Sequence, residues 1–298
     1  MSEYQYYEFA AVDAPLTRAQ QAALRACSSR AAITASSFTN QYHWGDLKGD
    51  PRDWMKRYFD AHVYSAGWAS CSLVLRLPGN ALDKTALAGY AASAGGAFSV
   101  AWTGQHCLLD WSFEDDSGDF ERFYDEQDGP GWMARLLPLR DELLRGDTRP
   151  LYLGWLARLC SCELDDDELE PPLPAGLGAL SPAQSALAEF LELDRDLLAA
   201  AAAASPAPAA RRDALRAAEA WAAGLPEAEL RAAMAQLVTG QGRALECKLS
   251  LRHAAWLDSR QAAPARRTVV EIEAGRHSAE QLRLETERAE RQARIRPG

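Results

Sequence analysis

Apolar positions in the first 113 residues follow two rhythms, one of period two and one near 3.6. YQYYEFAAV (4–12) is rich in aromatics and reads as a strand. Thr17 is placed to cap a helix over 18–27, where Ala19, Ala22, Ala23 and Ala26 form one weak apolar face. AITASSFT (32–39) reads as extended chain. Asp50-Pro51 is a strong helix start, and the helix is expected to run over 51–65. Met55, Tyr58, Phe59 and Val63 would share one face of it, with His62 at the border. SCSLVLRL (70–77) is a strand with Leu73, Leu75 and Leu77 on one side.

A short helix over 83–92 comes next. AFSVAWT (97–103) and HCLLDWSF (106–113) are then separated only by Gly104 and Gln105. That is hairpin spacing, and glycine in first place suits a II′ turn. The order predicts an α+β domain over 1–113, a mixed or antiparallel sheet covered by helices. A doubly wound sheet fits less well, because the closing hairpin breaks strict alternation. Strand order stays open.

Beyond residue 113 the pattern turns helical. EDDSGDFERFYDEQDGPG (114–131) sets eight carboxylates against Arg122, and self-repulsion is expected to keep this linker solvated. Helical patterns cover 132–146, restarting at Pro138, and 149–161. An acidic, Pro-rich linker (162–180) precedes Ser181-Pro182, which supplies an N-cap and Pro at the first helical position. Helices over 182–204, 209–223, 226–239 and 242–260 should form a bundle spanning 181–263, since short connections favour antiparallel neighbours. No fixed period meets a repeat consensus.

The final segment, 264–298, interleaves Arg and Glu and reads as a charged helix from about 266 to 295. Ala279, Leu282, Ala289 and Ala293 make only a poor heptad seam, so a solvated, projecting helix is expected. Arg283, Arg288 and Arg291 are its candidate contact residues for a protein or, as an alternative, for nucleic acid.

Composition narrows the function classes. The net charge of −10 across 298 residues argues against whole-surface attraction to nucleic acid or anionic membrane. The longest apolar run, LLAAAAAA (197–204), falls far short of the roughly 20 residues of a spanning helix. The N-terminus lacks a basic start followed by an apolar stretch, so a cytoplasmic location is expected. Six cysteines at 27, 71, 107, 160, 162 and 247 include one C-x-C pair. With no second close pair to complete a zinc site, reduced and mostly buried thiols are expected.

Chemistry concentrates in NQYHWGDLKGDP (40–51). His43, Asp46, Asp50, Asp60 and His62 are ligand types that suit a transition metal. Against that, Asp50 is better used as a helix cap, and on one continuous helix Asp60 and His62 would stand roughly 15 Å from it. The glycine-loop phosphate signature is absent, since Lys48 precedes Gly49 and no Ser or Thr follows. What survives is a contact surface at Tyr42, His43, Trp44, Asp46 and Lys48. No G-x-S-x-G occurs, and the small-residue stretch SAGGAFS (93–99) lacks the nucleophile-elbow pattern. His106 and Asp110 share one strand face and read as a polar pair more readily than as a catalytic dyad. Neither acidic run has EF-hand spacing. Catalytic, cofactor and metal residues are therefore not assigned.

The segments EYQYYEFAAVDAPLT, YHWGDLKGDP, MKRYFDAHVY and LLPLRDELLRGDTRPLYLGWL resemble those of a set of bacterial proteins of unassigned function, through most of the chain. The resemblance implies no activity, cofactor or site residue. The leading expectation is a non-enzymatic cytoplasmic adaptor or complex subunit that binds other proteins through its helical part. A metal-dependent enzyme with a site around 42–50 is the alternative, and nucleic-acid contact by the terminal helix is a third.

Overall fold

The computed structural model describes residues 4–115, 122–123, 127–208, 210–240, 242–260 and 266–295. Seven strands among them form a single sheet: β1 (Gln5–Ala10), β2 (Ala32–Ile33), β3 (Ser37–Tyr42), β4 (Ala61–Ala66), β5 (Ser70–Pro78), β6 (Phe98–Thr103) and β7 (His106–Phe113). The order is β2-β3-β1-β4-β5-β7-β6, and every ladder is antiparallel. Gly104 takes φ +59 at the first turn position of the β6–β7 hairpin, as the sequence predicts.

Alternation along the strands assigns each face. On β5 and β7, Cys71, Leu73, Leu75 and Leu77 join Cys107, Leu109 and Trp111 in a core shared with the C-terminal helices. Phe9, Val74 and Leu108 point the other way, into a second core under α1 (Arg18–Cys27) and α2 (Pro51–Arg57). Thr17 caps α1 through a complete capping box with Gln20. Asp50 caps α2, accepting from the Arg52 amide at 2.8 Å, with Pro51 opening the helix.

The helix expected over 51–65 ends at Arg57 instead, and 61–66 is strand β4 in mid-sheet. Ala61, Val63 and Ser65 face one side, and His62 and Tyr64 the other. Aromatic and β-branched residues here gain more by pairing between β1 and β5 than by continuing a helix. The helix-based spacing argument against a metal therefore falls with the helix.

α3 (Lys84–Ala88) is a single turn capped by Asp83. α4 (Trp132–Leu136) and α5 (Pro138–Leu144) meet at the Pro138 restart. α6 (Arg149–Cys160) is apolar nearly all round and buried accordingly, from Pro150 to Leu159 with Arg158 partly covered. It crosses the sheet at Gly154, where a β-carbon would come within 2.5 Å of Phe98 Cγ and 2.7 Å of Trp111 Nε1. Gly154→Ala should therefore cost about 1–3 kcal/mol by overpacking. A urea-denaturation midpoint unchanged from wild type would refute that close approach.

The helix expected over 182–204 divides into α7 (Pro182–Phe190) and α8 (Arg195–Ala204). Asp194 accepts from the Asp196 and Leu197 amides and starts a new helix, while Glu192 turns the chain at φ +49. α9 (Arg211–Ala223), α10 (Glu227–Val238) and α11 (Gly242–Asp258) follow, and α12 (Val269–Ile295) is the long terminal helix. The fold is α+β: an antiparallel N-terminal sheet with helices on both faces, then an all-α part.

One core runs through the segment boundaries, from Val63 and Trp111 of the sheet to Trp155, Phe190 and Ile272. The acidic stretch 114–131 contributes to it, contrary to the solvated linker expected: Phe123 is buried against Trp132 and Phe190. Arg122 donates to the Phe190 and Glu189 carbonyls. Residues 116–121 and 124–126 lie outside the described residues. In the second linker Glu170 is buried, accepting from Tyr152 at 3.1 Å and from Arg267 at 3.0 and 2.8 Å. A charge that far from water needs such partners.

Candidate functional site

At the end of β3, Tyr42 meets Tyr7 edge to face with ring centres 5.8 Å apart. His43 lies tilted on Tyr4 at 5.6 Å. Gly45 turns the chain at φ +100, and its carbonyl accepts from Gln5 Nε2 at 3.2 Å. The Tyr7 hydroxyl sits 2.8 Å from Asp46 Oδ1 and 2.9 Å from Gln5 Oε1, which also accepts from Tyr64 at 3.3 Å. Trp44 points outward, 77% exposed, and Lys48 is exposed as well. The structure thus gathers Tyr42, His43 and Asp46 around Tyr7 and leaves Trp44 and Lys48 at the rim.

Electrostatics in this nest oppose reactivity. Burial, then the hydrogen bond to Asp46, raises the Tyr7 phenol, and burial with the Asp46 charge raises Tyr64. Both stay protonated as donors. His62 stacks on Phe9 at 3.9 Å, and its Nδ1 lies 3.1 Å from the Glu8 carbonyl. A carbonyl only accepts, so Nδ1 carries the proton. Burial pushes the ring down to about 4, against a weaker opposing effect of that hydrogen bond. Asp50 is spent as the α2 cap, and Asp60 belongs to a separate charged cluster. Among the described residues no three His, Cys, Asp or Glu side chains gather as metal ligands.

A second concavity, about 460 Å³, opens beside β5, β7 and β6 and includes Arg52, Ser72, Ser99, Asp110 and Glu163. Asp110 Oδ1 is buried without a hydrogen bond, and Oδ2 lies 3.6 Å from Arg52. Burial raises this carboxyl, and Arg52 only partly offsets it. Glu163 is already satisfied by the Ala97 amide at 2.6 Å and by Arg158 at 3.4 Å. His106 is four residues from Asp110 on the same strand, about 13 Å at strand rise, so they form no dyad.

The terminal helix does not project as expected. Its first half lies along α8, where Gly275 approaches Ala200 and Ile272 enters the core. Arg276 pairs with Asp194 at 3.1 Å, and Arg283 grips both oxygens of Asp196 at 2.8 Å and reaches Glu287 at 3.1 Å. Arg283 is therefore committed to holding α12 on α8 and is no free contact residue. Arg288 and Arg291 are exposed one and two turns on, interspersed with Glu287 and Glu290.

The surface the sequence reading missed lies on α10. Leu230, Met234, Leu237 and Val238 are 39%, 61%, 51% and 83% exposed. Their spacing of 4, 7 and 8 residues places them on an arc of about 100°. Leu230 also borders a groove of about 410 Å³, together with Ala233 and Gln236 of α10 and with Trp221, Leu245 and Leu249. Met234, Leu237 and Val238 face solvent, while the groove side carries the half-covered Ala233 and Gln236, and α10 buries no residue fully. That stripe was legible in the 230–238 spacing, but a helix pattern alone does not say which side a stripe faces.

Comparison with protein-family models, curated proteins and solved structures returns no match.

Proposed function

We propose that the protein is a non-enzymatic interaction protein, an adaptor or complex subunit, that docks another protein on α9–α11. The exposed stripe of Leu230, Met234, Leu237 and Val238 carries this reading. An amphipathic helix of a self-sufficient domain buries its apolar arc, and contiguous exposed apolar patches mark interaction surfaces. A cytoplasmic setting is part of the proposal. Cys27, Cys71, Cys107, Cys160 and Cys162 are free, as a reducing compartment would keep them, and among the described residues no helix is long and apolar enough to cross a membrane.

The test is a quantitative pull-down from cells making the full chain at native level, comparing wild type with Met234→Lys/Leu237→Lys. These side chains are exposed, so the variant should fold normally. Loss of central apolar anchors should weaken a bound partner by about 2 kcal/mol or more, roughly thirtyfold. Equal recovery of the same proteins by both chains would remove the proposal.

A further inference from the structure

α6 ends in a left-handed capping turn. The Cys162 amide donates to the Leu159 carbonyl at 3.0 Å, and the Glu163 amide donates to the Arg158 carbonyl at 3.0 Å. Cys162 itself takes φ +56, a conformation that glycine ordinarily supplies at this position. Glycine would make the turn with less strain, so the turn does not account for a thiol.

The chain leaving the turn alternates between two cavities. Cys160, Cys162 and Leu164 line one of about 420 Å³. Ser161 and Glu163 line the separate cleft that contains Asp110. Both cysteines thus address one space, with the intervening serine turned away. Both are free and exposed, whereas mostly buried thiols were expected; among the described cysteine side chains, Cys71 and Cys107 are buried and Cys27 is half-buried. Asp194, Glu273 and Arg276 form part of the far wall, and Arg276 is paired with both carboxylates at 3.1 and 2.7 Å.

We propose that Cys160 and Cys162 bind a soft monovalent cation, of the Cu(I) or Ag(I) type, bridged between their two sulfurs. Thiolates select such ions, whereas closed zinc sites need four ligands. Two-coordinate ions need only the two sulfurs present. The carboxylates attract a cation to the mouth but, as hard oxygen donors, compete poorly for a soft one. Two S–H bonds break, two metal–sulfur bonds form, and two protons leave for solvent. No electron is transferred, and the resulting bis-thiolate complex carries one negative charge beside Arg276.

The experiment uses the reduced full chain under anaerobic conditions, with Cu(I) supplied as its bathocuproine disulfonate complex. Wild type should withdraw one equivalent and lose two thiols from reaction with Ellman's reagent. Cys160→Ser and Cys162→Ser should each abolish uptake with unchanged far-UV circular dichroism, while Cys247→Ser and Cys27→Ser should leave it intact. Failure of wild type to take Cu(I), or retention by either single variant, would overturn the site. Tighter retention of zinc than of Cu(I) would overturn the two-coordinate assignment.

Discussion

Asp60→Asn is expected to lower the unfolding free energy by about 3–5 kcal/mol, the usual cost of leaving buried charges without their counterion. Asp60 lies at the sheet end where β1, β4 and β5 meet, 1% exposed. Its carboxylate accepts from the Val12 and Asp13 amides at 2.7 and 2.9 Å and from Arg76 at 2.7 and 3.1 Å. Arg140, 2% exposed, stands 3.9 Å away, bonded to Asp13 at 2.6 Å and to the Arg76 carbonyl at 2.9 Å. Asparagine keeps the shape but leaves two guanidinium groups facing a neutral amide. Burial alone raises the Asp60 carboxyl, but the two amides and Arg76 outweigh it and hold it below the usual range. Its contribution is therefore fully present above the unfolded value of about 3.9 and is lost as pH falls through the lower folded value. Urea denaturation at neutral pH should show the full difference, and the gap should narrow in strong acid. A cost below about 1 kcal/mol at neutral pH would mean that the cluster is not electrostatically coupled. Asp13→Asn is the internal comparison: its side chain is 44% exposed, so water can replace much of what it loses.

The second large effect is on pH dependence and centres on His62. Its folded value of about 4 lies below the ordinary 6.5. The unfolded chain thus binds a proton that the folded chain refuses throughout that interval. Stability should be level above about pH 6.5, decline as pH falls toward 4, and by then have lost about 3 kcal/mol from this residue. His62→Gln removes the titrating group, so its urea midpoints between pH 7.5 and 4 should fall less steeply than those of wild type by that amount. Parallel curves would place the acid sensitivity elsewhere. The variant also gives up the ring contact with Phe9, so a uniform offset in stability is expected in addition to the change in slope.

Where local chemistry decides, the fold was legible in the sequence. Thr17, Asp50 and Ser181 each cap a helix through their own side chains, and Gly104 fixes the hairpin. It was not legible where distant chain decides. Residues 58–64 carry a helical spacing and a strand composition at once, and pairing with β1 and β5 settles the matter. Asp194 is a good N-cap sitting inside an apparently continuous helix, and only the packing of Leu191 and Leu197 makes it a boundary. The polar stretch at 42–50 announced itself through composition, yet Tyr7 and Tyr64, which hold Asp46 and Gln5 in place, come from strands that the sequence cannot align. Arg283 looked like a free cation for the same reason, because its partner Asp196 lies 87 residues earlier.

The shared core also sets an order of events during synthesis. The apolar face made by Leu73, Leu75, Leu77, Leu109 and Trp111 is complete once β7 has emerged from the ribosome. Its covering helix, α6, begins only at Arg149, and Phe190 of α7 follows later still. In that interval a nascent chain carries a preformed sticky plate, the kind of surface that holding chaperones engage. The eight carboxylates of 114–131 follow β7 directly in the chain and are the next to emerge, and their mutual repulsion opposes association between neighbouring nascent chains.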